Sequence, residues 1–213
     1  MPDSLPLFSP SALQRLPIPD AEIDWMEQLF SADEARMLFD VLRATTAWRQ
    51  EEIVLYGRRI PQPRLTAWVG DAEASYRYSG LSLTPQPWND ALLHIRQQVE
   101  RVTRTQFNSV LLNLYRDGRD SMGWHSDNEA ELGNAPVIAS VSFGQTRAFQ
   151  LKPRARSSTR PVRIDLTPGS LLVMRGATQA NFLHAVPKDR TQDARINLTF
   201  RVIVQPVSRA GQS

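Results

Sequence analysis

Three histidines occur in the whole chain, and one of them, His125, stands one residue away from a carboxylate, Asp127, in the stretch GWHSDNE. In extended backbone, positions i and i+2 point to the same side, so this imidazole and this carboxylate can converge on a single ion. The pair is weak evidence by itself, because so short a motif recurs by chance and a loop histidine usually meets only water. His184, in NFLHAVP, is the other candidate. It lies among apolar residues just after an expected strand, where a lone histidine is more often a satisfied core residue. As a metal ligand it would instead complete the two-histidine, one-carboxylate set of non-haem Fe(II) oxygenases, which leaves coordination positions open for other molecules. The remaining histidine, His94, falls in an amphipathic helical stretch and reads as a structural or surface residue.

RINLTFRVIV adds a second kind of chemistry. Arg195, Asn197, Thr199 and Arg201 alternate with Ile196, Leu198, Phe200 and Val202, so a strand here carries its polar groups on one face. A half-exposed strand with that face in water is the commoner case. Turned inward, two guanidiniums and two neutral hydrogen-bonding groups suit a carboxylate of a small diacid. Asn113 and Tyr115, in SVLLNLY, have the same spacing and offer further polar groups on one strand face.

These residues need elements to hold them. In FSADEARMLFDVL, Ser31 and Glu34 form an S-x-x-E capping box, and Leu38, Phe39 and Leu42 recur on one helical face. A second helix is expected from about Trp88 to Arg101, after Pro87, with Leu92, Ile95 and Val99 spaced for burial. EEIVLYG and RLTAWVG read as short strands separated by the turn RRIPQP. PVIASVSFG, RAFQLK, VRIDL and GSLLVM continue the series, with turn signals such as TPGS between them. Two leading helices and many following strands predict a mainly β protein, with helices on one side of a two-sheet sandwich. KPRARSSTRPVR carries five positive charges and no acid, so it reads as an exposed loop, either a solvated hairpin tip or a phosphate contact.

Composition narrows the classes. The 213 residues suffice for one domain with a sizeable core, and 41% hydrophobic with 22% charged residues is ordinary for a soluble globular protein. No apolar run approaches the roughly 20 residues that span a bilayer. The first stretch has no basic start followed by an apolar core, so no secretory signal is expected; five prolines in the first 20 residues predict an extended arm. Cysteine is absent, which excludes disulfides and thiolate chemistry and suits a reducing cytoplasm. Of 25 basic residues all but Lys152 and Lys188 are arginine. Arginine suits bidentate phosphate contacts, though a GC-rich genome produces the same bias.

Taken in order, NLYRDG, WHSDNE, SVSFG, PGSLLVM, the later histidine and RINLTFR resemble the AlkB family of Fe(II)- and 2-oxoglutarate-dependent nucleic-acid dealkylating dioxygenases, over about residues 22 to 204. PRLTAWVGD and YRYSG resemble the nucleotide-recognition lid of that family's animal DNA- and RNA-repair branch. The resemblance implies a double-stranded β-helix (jelly-roll) core at about 107–204 and an N-terminal lid at about 49–80. Both would lie in one dioxygenase domain over 21–206, preceded by the arm at 1–20 and followed by a tail at 207–213. It implies Fe(II) on His125, Asp127 and His184. It also implies 2-oxoglutarate on Asn113, Tyr115, Arg195, Thr199 and Arg201, with Asn197 buttressing that pocket and dioxygen as cosubstrate. The implied reaction removes methyl groups from bases such as 1-methyladenine and 3-methylcytosine as formaldehyde. The implied setting is repair of alkylated DNA, with RNA as a further substrate, by a cytoplasmic monomer.

A base must leave its stack to reach such an iron. By the same resemblance, Tyr76, Arg77 and Tyr78 fall at lid positions beside the base, and Asn128 and Glu129 near its edge. Leu55, Tyr56 and Gly57 match a short finger that fills the gap in a duplex, followed by Arg58 and Arg59 for phosphates. The ordinary reading of these tyrosines is sheet packing or a solvent-facing strand end. Asn128 departs from the family, which often has an acid there; the amide removes a negative charge near a cationic base. Two other functions compete: the same chemistry on a protein or small molecule, and an inactive nucleic-acid-binding module. The lid-like tyrosines and the basic loop favour nucleic acid, and the complete triad with both arginines argues against inactivity.

Overall fold

The computed structural model describes residues 12–55, 57–74, 76–78, 81–155 and 160–204. Helix α1 (Ala32–Thr45) starts as its capping box requires: the Glu34 N–H donates to Ser31 Oγ at 3.4 Å and the Ser31 N–H donates to Glu34 Oε2 at 3.0 Å. Helix α2 (Asp90–Thr103) starts on Asn89, whose Oδ1 accepts from the Leu92 N–H at 2.9 Å, and ends where Arg104 turns left-handed.

The larger sheet has seven strands in the order β1 (Gln14–Arg15), β2 (Glu22–Met26), β13 (Leu171–Arg175), β10 (Ile138–Gly144), β15 (Arg195–Arg201), β8 (Ser109–Tyr115) and β5 (Leu65–Gly70). The smaller has four, β12 (Val162–Leu166), β11 (Arg147–Pro153), β14 (Phe182–Val186) and β9 (Met122–His125). Two hairpins, β3 (Glu52–Leu55) with β4 (Arg58–Pro61) and β6 (Tyr76–Tyr78) with β7 (Leu81–Leu83), stand apart from both sheets, and a one-turn helix, α3 (Thr178–Asn181), links β13 to β14.

Alternation along the strands builds two apolar layers. Val110, Leu112, Val141, Phe143, Ile196, Leu198 and Phe200 pack with Leu38 and Leu42 of α1 and Leu92, Ile95 and Val99 of α2. On the opposite face of the larger sheet, Tyr115, Ile138, Leu172 and Met174 meet Phe149, Leu151, Phe182 and Val186 of the smaller one. This is the expected mainly β, two-sheet architecture with helices on one side. Both faces of β15 are therefore covered, and its polar residues point between the sheets rather than into water.

Three differences have physical causes. Gln14–Arg15, inside the stretch expected to be an arm, pairs with Asp24–Trp25 of β2. His184, expected just after a strand, sits in the middle of β14. That strand is flanked on both sides by β11 and β9, so its run of apolar residues carries no alternation to read. Asp127 lies beyond the end of β9, so it reaches its neighbours from a loop and not from extended strand.

Candidate active site

His125 ends β9 and is paired in register with His184 of β14, which brings the two imidazoles to 4.3 Å between ring centroids. Asp127, two residues on, turns back so that its Oδ2 lies 3.8 Å from His184 Nε2. One ligand atom from each of the three lies within 4.8 Å of the others, close enough to share an ion. His125 Nδ1 sits 2.8 Å from the Gly123 carbonyl oxygen. A carbonyl can only accept, so Nδ1 carries the hydrogen and Nε2 keeps its lone pair for a metal. Burial pushes His184 down to about 4, with the charges of His125 and Arg201 adding and Asp127 opposing, so its imidazole is neutral at physiological pH. Burial by itself would raise the Asp127 carboxyl, but Arg201, His184 and His125 outweigh it and keep it ionised. Two imidazole nitrogens and one carboxylate oxygen form a donor set that suits Fe(II).

Behind the triad, β15 lines the cavity floor. Arg195 is 1% exposed. Its Nη2 donates to Asn197 Oδ1 at 2.6 Å and Ser142 Oγ at 2.9 Å. The amide of Asn197 donates to Thr199 Oγ1 at 2.9 Å and its carbonyl also accepts from Ser140 Oγ at 2.9 Å. Arg201 Nη2 donates to Asp127 Oδ1, which ties floor to triad. Nε and Nη1 of Arg195 and Nε of Arg201 are buried without a protein partner. An unmatched buried donor costs about 1–3 kcal/mol, more when charged, so this floor is built for an anion with several acceptor oxygens. A dicarboxylate such as 2-oxoglutarate fits that requirement.

All nine residues expected at the metal and the cosubstrate line this one cavity: Asn113, Tyr115, His125, Asp127, His184, Arg195, Asn197, Thr199 and Arg201. The expected substrate residues are placed less fully. Tyr56 and the side chains of Tyr76, Arg77 and Tyr78 lie outside the described residues. Gly57, with φ +76°, leads into exposed Arg58, the first residue of β4, which pairs with Leu55 of β3. Asn128 and Glu129 are exposed beside the triad, and Asn128 Oδ1 accepts from Ser126 Oγ at 3.1 Å.

Four supporting groups escaped the sequence reading. Gln179, 2% exposed on α3, accepts the Asp127 N–H on its Oε1 at 2.9 Å and so fixes the loop that carries Asp127. Arg147 donates to the carbonyls of Asp117, Asp120 and Pro187, pairs with Asp189 at 2.7 Å, and lies over the Tyr115 ring at 5.6 Å. Arg64 Nε donates to Asn113 Oδ1 at 2.8 Å. Phe149 stacks on His184 with centroids 5.2 Å apart. None of these four carried a usable signal; Ser140, which lines the cavity, and Ser142, which accepts from Arg195, did, as polar residues at i and i+2 in an apolar strand.

A two-sheet β-sandwich that opens on a His-Asp-His cluster above buried arginines is the architecture of a non-haem iron oxygenase. The chain belongs to the 2OG-Fe(II) oxygenase superfamily, whose family model matches residues 22–201. Its relatives are AlkB-type enzymes. Alpha-ketoglutarate-dependent dioxygenase alkB homolog 3 of Bos taurus is 44% identical over 179 residues, covering 80% of this chain and 62% of that protein. DNA oxidative demethylase ALKBH2 of Mus musculus is 39% identical over 186 residues, covering 83% and 78%. This chain thus spans about 62% of the length of its alkB homolog 3 relative. A solved structure of OsALKBH1 matches with a TM-score of 0.54 at 17% identity, covering 89% of this chain and 99% of that one, a likeness of fold alone.

Proposed function

We propose that this protein oxidatively demethylates N-alkylated bases, such as 1-methyladenine and 3-methylcytosine, in DNA and RNA, as a cytoplasmic monomer engaged in repair of alkylation damage. The observation that carries the reading is the convergence of the His-Asp-His cluster and the unmatched arginine donors in one cavity. Relatives whose names describe alkylated-DNA chemistry support the substrate class, and the cysteine-free composition supports the compartment.

His125, Asp127 and His184 would hold Fe(II), and Asn113, Tyr115, Arg195, Thr199 and Arg201 would hold 2-oxoglutarate, with Asn197 fixing the donors between them. Bound together, the two supply the oxidising chemistry: dioxygen decarboxylates 2-oxoglutarate to succinate, and the N-methyl group is hydroxylated and lost as formaldehyde. The protein's part is placement. Gln179 fixes the Asp127 backbone and Arg201 its carboxylate, Phe149 and Met122 line the cavity, and Arg195 would neutralise a carboxylate of the cosubstrate. Tyr76, Arg77 and Tyr78 of the lid, with Asn128 and Glu129, would hold the flipped base, while Tyr56, Gly57 and Arg58 would enter a duplex.

The test is formaldehyde release from a 1-methyladenine oligonucleotide. It is expected only with Fe(II), 2-oxoglutarate and air together, and it should vanish in folded His125→Ala and Asp127→Ala proteins. Consumption of 2-oxoglutarate with no formaldehyde from any methylated DNA or RNA would move the substrate to a protein or small molecule. Full activity of His125→Ala would remove the metal assignment itself.

A further inference from the structure

Trp124 is the one exposed aromatic residue among those described, and it immediately precedes His125. The other indoles are more covered, and three of them donate their N–H inside the fold, Trp48 to Arg43 O, Trp68 to Ser109 Oγ and Trp88 to Asp71 Oδ1. Trp124 instead lies 39% exposed on the outer face of β9, the edge strand of the smaller sheet. His125 turns inward to the cavity, so the indole and the metal-binding imidazole occupy opposite faces of one strand.

Two cations flank this indole. Lys152, opposite Leu183 in the sheet register, reaches across that side chain to place Nζ 4.3 Å from the Trp124 ring centroid. Arg154, two residues further on, donates from Nη2 to Ser126 Oγ at 2.6 Å and from Nε to Ala180 O at 3.2 Å. Ser126 sits between the ligands His125 and Asp127, so Arg154 is fastened to the metal-binding loop by neutral oxygens. Neither Lys152 nor Arg154 has a carboxylate partner among the described residues, and the two stand on either side of the one indole that is open to solvent there. An open aromatic face beside two unneutralised cations is the chemistry that takes bases by stacking and phosphates by charge.

We propose that Trp124, Leu183, Lys152 and Arg154 form an outer docking strip for single-stranded nucleic acid, holding nucleotides that flank the base in the cavity. The proposal rests on the demethylase reading above and adds the path of the strand: over the β9 edge, from the mouth of the cavity onto the outer face of the smaller sheet. Lys152 is the exchangeable part. An exposed cation–π contact is weaker than base–aromatic stacking, so a base can displace Nζ from the indole and leave it free to meet a phosphate.

The test compares a methylated trinucleotide with a methylated single strand of about twelve nucleotides, together with binding of the unmethylated longer strand at several salt concentrations. For the longer strand, Trp124→Ala should weaken binding and raise KM about tenfold, and Trp124→Phe should recover most of the loss. Lys152→Ala should lower the slope of log affinity against log salt by about 0.7, the amount for one phosphate contact on a single strand. Turnover of the trinucleotide should be unchanged in both alanine variants. The strip is overturned if Trp124→Ala binds the long strand within about twofold of the parent, a difference of only a few tenths of a decade. It is equally overturned by equal losses on long and short substrates, which would mean that the substitution acts through His125. A parent protein that releases no formaldehyde from either substrate would defeat the demethylase reading instead, before any variant is compared.

Discussion

Asp127 is held on three sides at once: its N–H by Gln179, its carboxylate by Arg201, and its second oxygen toward His184. Removing the Gln179 acceptor leaves a buried N–H unmatched, at a cost of about 1–3 kcal/mol that the metal-binding geometry must absorb. Gln179→Leu should therefore weaken Co(II) binding, followed by its visible absorption, by about tenfold, while Gln179→Glu, which keeps the acceptor, should bind more nearly like the parent. Arg201 and Arg195 act on the other ligand. Arg201→Ala should lower 2-oxoglutarate affinity by at least about tenfold, since a charge-assisted hydrogen bond contributes about 1.5–3 kcal/mol, and oligonucleotide affinity should change far less. The two buried ligands also set a pH dependence. An unfolded His184 takes a proton below about 6.5, whereas the folded residue does so only near about 4. The unfolded chain thus binds more protons in that window, and the ion-free protein loses stability as pH falls through it. The depressed Asp127 carboxyl acts in the same direction at lower pH still. Melting temperatures measured from pH 7 to pH 4.5 should fall, and His184→Gln should flatten the curve; a flat parent curve would contradict the burial of a neutral imidazole.

At the level of elements, what could be read from sequence follows the regularity of each element's surroundings. The helices α1 and α2 have one wet face and one dry face, so their periodicity and caps locate them to within a few residues. Strand β15 alternates because one face meets helices and the other lines a polar cavity, which also made its site residues legible. Strand β9 was not legible. It has four residues, and a register irregularity opposite β14 lets both Met122 and His125 face inward, which breaks period 2. Gln179 and Arg147 were invisible for a different reason: their partners are backbone groups far away in sequence, and no spacing encodes them. Two predictions belong here. Ser31→Ala removes the capping box of α1 at a cost of about 1 kcal/mol, a fall of about 2–4 °C in melting temperature for a domain of this size, with activity retained. Tyr56, in the chain between β3 and the left-handed Gly57, is the proposed wedge. Tyr56→Ala should impair repair of a lesion in duplex DNA much more than of the same lesion in a single strand. Equal losses would remove the wedge and leave a single-strand enzyme.

For the molecule as a whole, the cavity lies inside the layer between the two sheets, while the helices back the larger sheet from outside. That makes the smaller sheet the weaker wall, and β9 its least supported member. β9 is a short edge strand with a single irregular neighbour, yet it supplies one histidine of the His-Asp-His cluster while the adjoining β14 supplies the other. An ion held by both is a cross-link between a strand that can peel away and one that cannot. Amide hydrogens of Met122–His125 should then exchange with solvent quickly in the ion-free protein and slowly in the loaded one, while those of β8 and β15 in the larger sheet hardly change. Peeling of the edge would also be the route by which the ion escapes. Gly123 has open space around the position a side chain would take. A Gly123→Ala substitution, which narrows the unfolded edge's freedom without touching a ligand, should therefore slow edge exchange and ion release by the same factor.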